Sequence, residues 1–234
     1  MLFSSITFLF LFLPLNLLAY FFAKNIKAKN TVMLVFSLIF YAWGEPVYIL
    51  LLVAMTFLDW FLTILIAKQE RRSKKARLYL AAVVSADLLL LGIFKYGSFI
   101  LSNLSFLTGF PKSVPNILLP IGISFYTFQL ITYCADVYRG DAPVQKSFKM
   151  LLLYVSMFHQ CIAGPIVRYR DINEELESRH ANYTDVAEGI NRFCVGLAKK
   201  ALIANTCAVI ADRLLIPDGG DSSLLASRSV LALW

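Results

Sequence analysis

Histidine is almost absent from this sequence: His159 and His180 are the only two in 234 residues. No histidine or cysteine pair stands at a zinc-ligating spacing, and neither a Ser-His-Asp order nor a phosphate loop can be made out. Cysteine is nearly as sparse. Cys134, Cys161, Cys194 and Cys207 form no CxxC pair, and each stands in a mostly apolar stretch. They read as small buried hydrophobes rather than a disulfide frame or metal site. Charge is scarce too, at 16% Asp, Glu, Lys and Arg against about 25% in soluble domains. No basic residue precedes Lys24. The opening run is therefore expected to be an uncleaved transmembrane helix, since a signal peptide begins with positive charge.

What is present is apolar surface. Hydrophobic residues make up 59% of the chain, above the roughly 45–50% of soluble domains, which places it in a bilayer. Spanning a hydrocarbon core takes about 20 apolar residues of helix. The runs that qualify are 2–23, 31–43 (short), 47–67, 78–101 and 117–138. The second and third are separated only by the turn signal Gly44-Glu45-Pro46. The expected fold is all-α: a polytopic helical protein with short, tilted and re-entrant helices, in one membrane domain without repeats or linkers. The net charge of +7 follows from membrane topology and calls for no nucleic-acid partner.

Lysine and arginine set the orientation. Lys24, Lys27 and Lys29 follow the first run, and "KQERRSKKAR" (68–77) follows the third. Both loops are expected on the cytoplasmic side, with the first residue outside. The loop with Arg139, Lys146 and Lys149 then returns inside. A full crossing by 151–167 would put Arg168, Arg170, Arg179, Arg192, Lys199 and Lys200 outside, against this bias. The stretch is instead expected to be re-entrant, turning at Gly164-Pro165. Non-helical backbone at that depth needs protein or a water-filled cavity around it.

Downstream, 184–212 carries Val186, Ile190, Phe193, Leu197 and Ala201 on one helical face and Glu188, Arg192 and Lys199 on the other. This is the pattern of an amphipathic interfacial helix. "PDGGD" (217–221) is a loop, and "LLASRSVLALW" begins another apolar helix without completing it. The chain thus reads as the N-terminal part of a longer protein.

Ionisable groups inside apolar runs cost about 2.5–3.5 kcal/mol each at a helix centre. Here they are Asp59, Asp87, Lys95, Asp136 and His159. Asp87 and Lys95 stand about 12 Å apart along a helix, too far to pair, so each needs another helix or the interface. Asp59 and Asp136, read as lying near the ends of their runs, suit interfacial placement or a helix–helix hydrogen bond. His159 has the chemistry of a general base, but no companion carboxylate or histidine stands at a telling spacing, and the packing role is preferred. His180 reads as a solvated loop residue. Gly122, Tyr126, Gln129, Tyr133 and Asp136 follow a three-four spacing and share one helical face. Such a polar face lines a cavity or a helix–helix contact.

Two of these segments, "LPIGISFYTFQLITYCADVYRG" (119–140) and "FHQCIAGPIVRYRDI" (158–172), resemble the membrane-bound O-acyltransferase family, in its alginate O-acetyltransferase-like branch. "GLAKKALIA" (196–204) resembles a third segment of that branch. The likeness is strong over Leu119–Asp212. It implies a polytopic enzyme with helices around a funnel and tunnel, moving acetyl groups toward hydroxyls of an exported cell-surface polysaccharide. It further implies acetyl-CoA or another acyl thioester as donor, no tightly bound cofactor or metal, and a multi-pass, bacterial-type cell membrane setting. An extracytoplasmic acetyltransferase and export machinery would be its partners.

The family's catalytic histidine lies in a later arginine-tryptophan-histidine motif, expected beyond Trp234. His159 departs from the residue usual at its position and does not replace that motif. The residues expected along the substrate path are Tyr126, Gln129, Tyr133, Asp136, His159, Gln160 and Arg168. Two other classes fit the same composition. One is a transporter or flippase using the polar face near Gln129, and the other is a non-catalytic membrane scaffold.

Overall fold

The computed structural model describes residues 3–108, 118–161, 166–179 and 182–215. Helices account for nearly all of them, and no strand occurs among the described residues. The chain divides into two compact units, one running from Leu13 to Arg179 and one joining the residues up to Phe12 with those after Arg179.

The first unit contains α1 (Leu13–Phe22), α2 (Ile26–Gly44), α3 (Ile49–Ala67), α4 (Lys74–Thr108), α5 (Ile123–Arg139), α6 (Phe148–Ser156), α7 (Phe158–Cys161) and α8 (Tyr169–Glu177). α3 has neither glycine nor proline, and its 19 residues make a rod of about 28 Å, close to the bilayer core. α3, α4 and α5 pack against one another, while α2 packs on α6 and α7. Buried Leu52, Met55, Thr56, Asp59, Thr63 and Ile66 form the inward stripe of α3. Phe57 and Phe61 on the same helix are exposed, as are Val35, Ile39, Leu88 and Leu89 on α2 and α4. Apolar residues outside and polar ones inside are the arrangement for a lipid environment. α3 and the Lys74–Leu101 stretch of α4 are each long and apolar enough to cross a membrane.

Several helix limits differ from the hydropathy runs, because backbone signals set them. α2 starts at Ile26, ahead of the short 31–43 run, since Lys27 and Lys29 are good helix formers. α5 starts at Ile123 because Pro120 and the left-handed Gly122 (φ 77°) hold the preceding chain out of a helix. α5 ends at Gly140 (φ 78°), whose N–H and that of Asp141 return to carbonyls of the last turn. Arg71 in the α3–α4 turn donates to the Arg139 carbonyl, and its guanidinium fills the space a Cβ at Gly140 would need.

These contacts sort the loops by end. The α3–α4 turn meets the end of α5 through Arg71, and Lys149 at the start of α6 donates to Thr31 near the start of α2. At the opposite end, Tyr41 and Tyr48 donate to the carbonyls of Ile121 and Leu118, both at 3.1 Å. The lysine- and arginine-rich loops therefore lie together, away from the Gly44-Glu45-Pro46 turn.

α6 begins at this basic end, with Met150 Sδ 3.5 Å from Asn30 Nδ2. Further on, the Phe158 N–H donates to Ser37 Oγ at 3.2 Å and the Phe158 ring stands 5.7 Å from that of Phe40. The chain then returns, and Asn30 Nδ2 donates to the Leu176 carbonyl at 2.8 Å. From Asn30 to Ser37 is about 10 Å along α2, so Phe158 lies about that far along α2 from the level that Met150 and Leu176 share. A helical break falls at Met157 (φ −46°, ψ 116°); Gly164-Pro165, where the turn is expected, lie outside the described residues. α8, absent from the hydropathy reading, closes the loop with a strongly charged outer face.

The second unit has a π-helical stretch, Phe8–Phe12, where the rings of Phe8 and Phe12 stack at 5.6 Å. It also has α9 (Tyr183–Ala198), a π-helical stretch Lys199–Ala204 and α10 (Asn205–Leu215). The Asn182 N–H donates to Asp185 Oδ2 at 3.0 Å and starts α9 in the manner of a capping box. From Tyr183 to Ala211 the helix is long and apolar enough to cross a membrane. Its length therefore permits a crossing as well as the interfacial placement expected from its amphipathic pattern. Cys194 and Cys207 are exposed, against the expectation of buried cysteines, because they sit on this uncovered helix. Cys134 is buried as expected. His180 and the residues after Leu215 lie outside the described part.

Candidate functional site

Three tyrosines from three helices meet where the re-turning segment packs on α5. The Tyr169 ring (α8) stands edge-on to Tyr133 (α5) at 4.9 Å and to Tyr154 (α6) at 5.3 Å. All three are buried. Buried phenols need polar partners, and each has one. The Gln145 backbone N–H donates to Tyr133 Oη and its side-chain amide donates to Tyr169 Oη, both at 2.9 Å. Tyr169 in turn donates to Asn173 Oδ1 at 2.6 Å, and Tyr154 donates to the Val167 carbonyl at 2.8 Å. Burial pushes the Tyr169 phenol above its ordinary pKa, while the Gln145 bond pulls the other way. The phenol is a neutral hydrogen-bonding post at physiological pH.

Gln160 extends this network. Its amide donates to the Tyr154 carbonyl at 2.6 Å, across the break at Met157. On the far side of the break opens a cavity of about 250 Å³, lined by His159 and Gln160 with Met33, Met157, Val167, Ile172, Glu175, Leu176 and Arg179. Arg179 is fixed in position: Nε donates to Tyr20 Oη at 2.7 Å, Nη1 to the Glu175 carbonyl at 3.2 Å, and Nη2 approaches Met33 Sδ at 3.4 Å. The cavity thus has one imidazole, one amide, one held guanidinium and one carboxylate on otherwise apolar walls. Such a set can orient a small polar ligand. His159 contacts the Phe158 ring edge-on at 5.4 Å. No carboxylate orients its imidazole among the described residues, so the triad-like support of a general base is missing there.

Tyr126, Gln129, Tyr133 and Asp136 share the inward face of α5, as their spacing predicts, and all four are buried. They lie in the interior, and none of them lines the cavity beside His159 and Gln160. Arg168 is exposed, just ahead of α8. The intramembrane charges have different fates. Asp59 lies at the middle of α3, not near its end, and is a buried neighbour of Asp87 on α4. Cys134 Sγ sits 3.8 Å from Asp59 Oδ2 and 2.9 Å from Thr63 Oγ1. Lys95 reaches the surface, its Nζ 5.6 Å from the Tyr96 ring centroid.

Sequence reading missed Tyr154, Tyr169, Gln145 and Arg179. Tyr169 had a signal, since Tyr169, Ile172 and Leu176 lie at i, i+3 and i+7 of one helical face. Gln145 had none, because a loop residue bridging two tyrosines follows no periodicity.

The two segments 119–140 and 158–172 thus pack on each other through Tyr133 and Tyr169. Across its whole length the chain is 38% identical to a protein of Pseudomonas putida named probable alginate O-acetylase AlgI, of which it covers 50%. It is 39% identical over its whole length to the protein of that name from Azotobacter vinelandii, covering 48%. The chain belongs to the membrane-bound O-acyltransferase family. Over 91% of its length it is also 32% identical to a peptidoglycan O-acetyltransferase of Helicobacter pylori, covering 46%. The chain spans about half the length of the curated relatives it matches. No family model and no solved structure matches it. In this chain the Tyr133–Tyr154–Tyr169 junction anchors the α6–α8 segment on α5.

Proposed function

We propose that this chain serves, within its whole protein, the transfer of acetyl groups to hydroxyls of an exported cell-surface polysaccharide. The observation that carries the reading is identity over the full chain to relatives named alginate O-acetylase. A relative named for peptidoglycan O-acetylation widens the acceptor class to exported glycans. On this reading the basic loops face the cytoplasm, the first residue lies outside, and acetyl-CoA or another acyl thioester is the donor. A polyanionic donor cannot enter hydrocarbon, so its acyl group needs a protein passage. The cavity beside His159 and Gln160 forms part of that passage wall, with Tyr126, Gln129, Tyr133, Asp136 and Arg168 elsewhere along the substrate path. His159 has no assigned catalytic role. An extracytoplasmic acetyltransferase and the polymer's export machinery complete delivery.

Deleting the gene and measuring ester-linked acetate on purified surface glycan tests this reading. The expected result is loss of acetate with polymer still exported, restored by the intact gene. Unchanged acetate overturns it, and so does loss of the polymer itself, which is the outcome for a flippase.

A further inference from the structure

A second cavity, of about 370 Å³, opens at the basic end of the first unit, between the starts of α2 and α6 and the end of α8. Its walls are of two kinds. Ile26, Met150 and Leu176 make an apolar side, and Asn30 ties it together by donating to the Leu176 carbonyl while approaching Met150 Sδ. Lys27 and Lys149 supply charge from the first turns of two different helices. Lys149 donates to Thr31 Oγ1, which aims its ammonium group and leaves further N–H donors free. Neither helix has a side-chain cap bond, so both helix dipoles add positive potential.

We propose that this cavity binds the headgroup of an anionic phospholipid, phosphatidylglycerol in particular. Three observations select that occupant. The cavity lies where the basic loops gather, at the same end as the α3–α4 turn that joins two helices long and apolar enough to cross a membrane, which is the depth of lipid headgroups. An apolar wall beside two lysines suits a ligand that is anionic at one end and hydrocarbon at the other. Lys27 and Lys149 against Glu177 at the rim leave a net charge of +1, matching the single charge of a phosphodiester. Glu177 opposes a polyanion such as coenzyme A but accepts hydrogen bonds from glycerol hydroxyls.

The test uses the protein purified from its membrane, stripped of lipid and re-supplied with equal phosphatidylglycerol and phosphatidylcholine, with retained lipid read by native mass spectrometry. Retention of one phosphatidylglycerol is expected, weakened roughly tenfold or more in Lys27→Ala/Lys149→Ala and restored in the double arginine variant. The pair Lys24→Ala/Lys146→Ala, outside the cavity wall, should leave retention unchanged. Equal retention of both lipids, or equal weakening by the two double variants, overturns the proposal. Displacement by millimolar phosphate or coenzyme A overturns it in favour of a soluble anion. The glycan acetate assay is independent of all these readouts, so failure here leaves the functional reading untouched.

Discussion

Asp59 on α3 and Asp87 on α4 are neighbours in the helical core, both fully buried. Among the described residues neither Asp87 oxygen has a hydrogen-bond partner, while Asp59 has Cys134 beside it. Two buried carboxyls side by side without a cation are an unfavourable pair. Asp87→Asn supplies an amide N–H beside the Asp59 carboxyl and should leave stability unchanged or raise it by about 1 kcal/mol. Asp87→Ala empties the site and should cost about 1–3 kcal/mol. Thermal unfolding in detergent separates the two, and equal loss in both variants would contradict this reading.

Tyr169 joins two tyrosines by ring contacts and two polar side chains by hydrogen bonds. Tyr169→Phe keeps the rings and should cost about 1–2 kcal/mol, from the lost bonds to Gln145 and Asn173. Tyr169→Ala also opens a cavity at the α5–α8 contact, with a cost of about 3–5 kcal/mol. Limited proteolysis of the α7–α8 segment should follow the same order. Equal protection of Tyr169→Phe and Tyr169→Ala would show that the ring does not anchor the segment.

Gly140 combines a left-handed backbone with a guanidinium in the place of a Cβ. Gly140→Ala is expected to cost about 1–2 kcal/mol from the backbone alone and to expel Arg71 from the end of α5. Arg71→Ala in the same background should then add little, because the contact is already lost. Full additivity of the two substitutions, measured by thermal unfolding, would rule out the coupling.

Exposed Arg168 and the α3–α4 turn should share one side of the membrane if the chain returns where it entered. Single cysteines at positions 71 and 168, in a background with the four native cysteines replaced by serine, are expected to react with an impermeant maleimide only in inside-out vesicles. Labelling of the two from opposite sides would make the 148–177 segment a true crossing.

His159→Ala in the whole enzyme should retain acetyl transfer within roughly tenfold of the unaltered protein, since no orienting partner prepares the imidazole as a base. Glycan acetate and protein level measured together check this. Complete loss of acetate at a normal protein level would give His159 a direct part in the reaction.

By itself the sequence determined the membrane class, the helical runs and the grouping of basic loops, because hydropathy and charge act through local composition and spacing. The three-four spacing on α5 determined which face turns inward, as buried Tyr126, Gln129, Tyr133 and Asp136 bear out. Motif likeness determined the family. Tertiary structure alone decided which groups meet. Asp59 finds Asp87 across 28 positions of sequence, and Tyr133 finds Tyr169 through Gln145 in a loop. It also decided that α6 stops at Ser156, where backbone angles at Met157 turn the chain without a glycine or proline to mark the position. Contacts between distant residues depend on how whole helices cross, and no periodicity within one helix encodes the partner on the next.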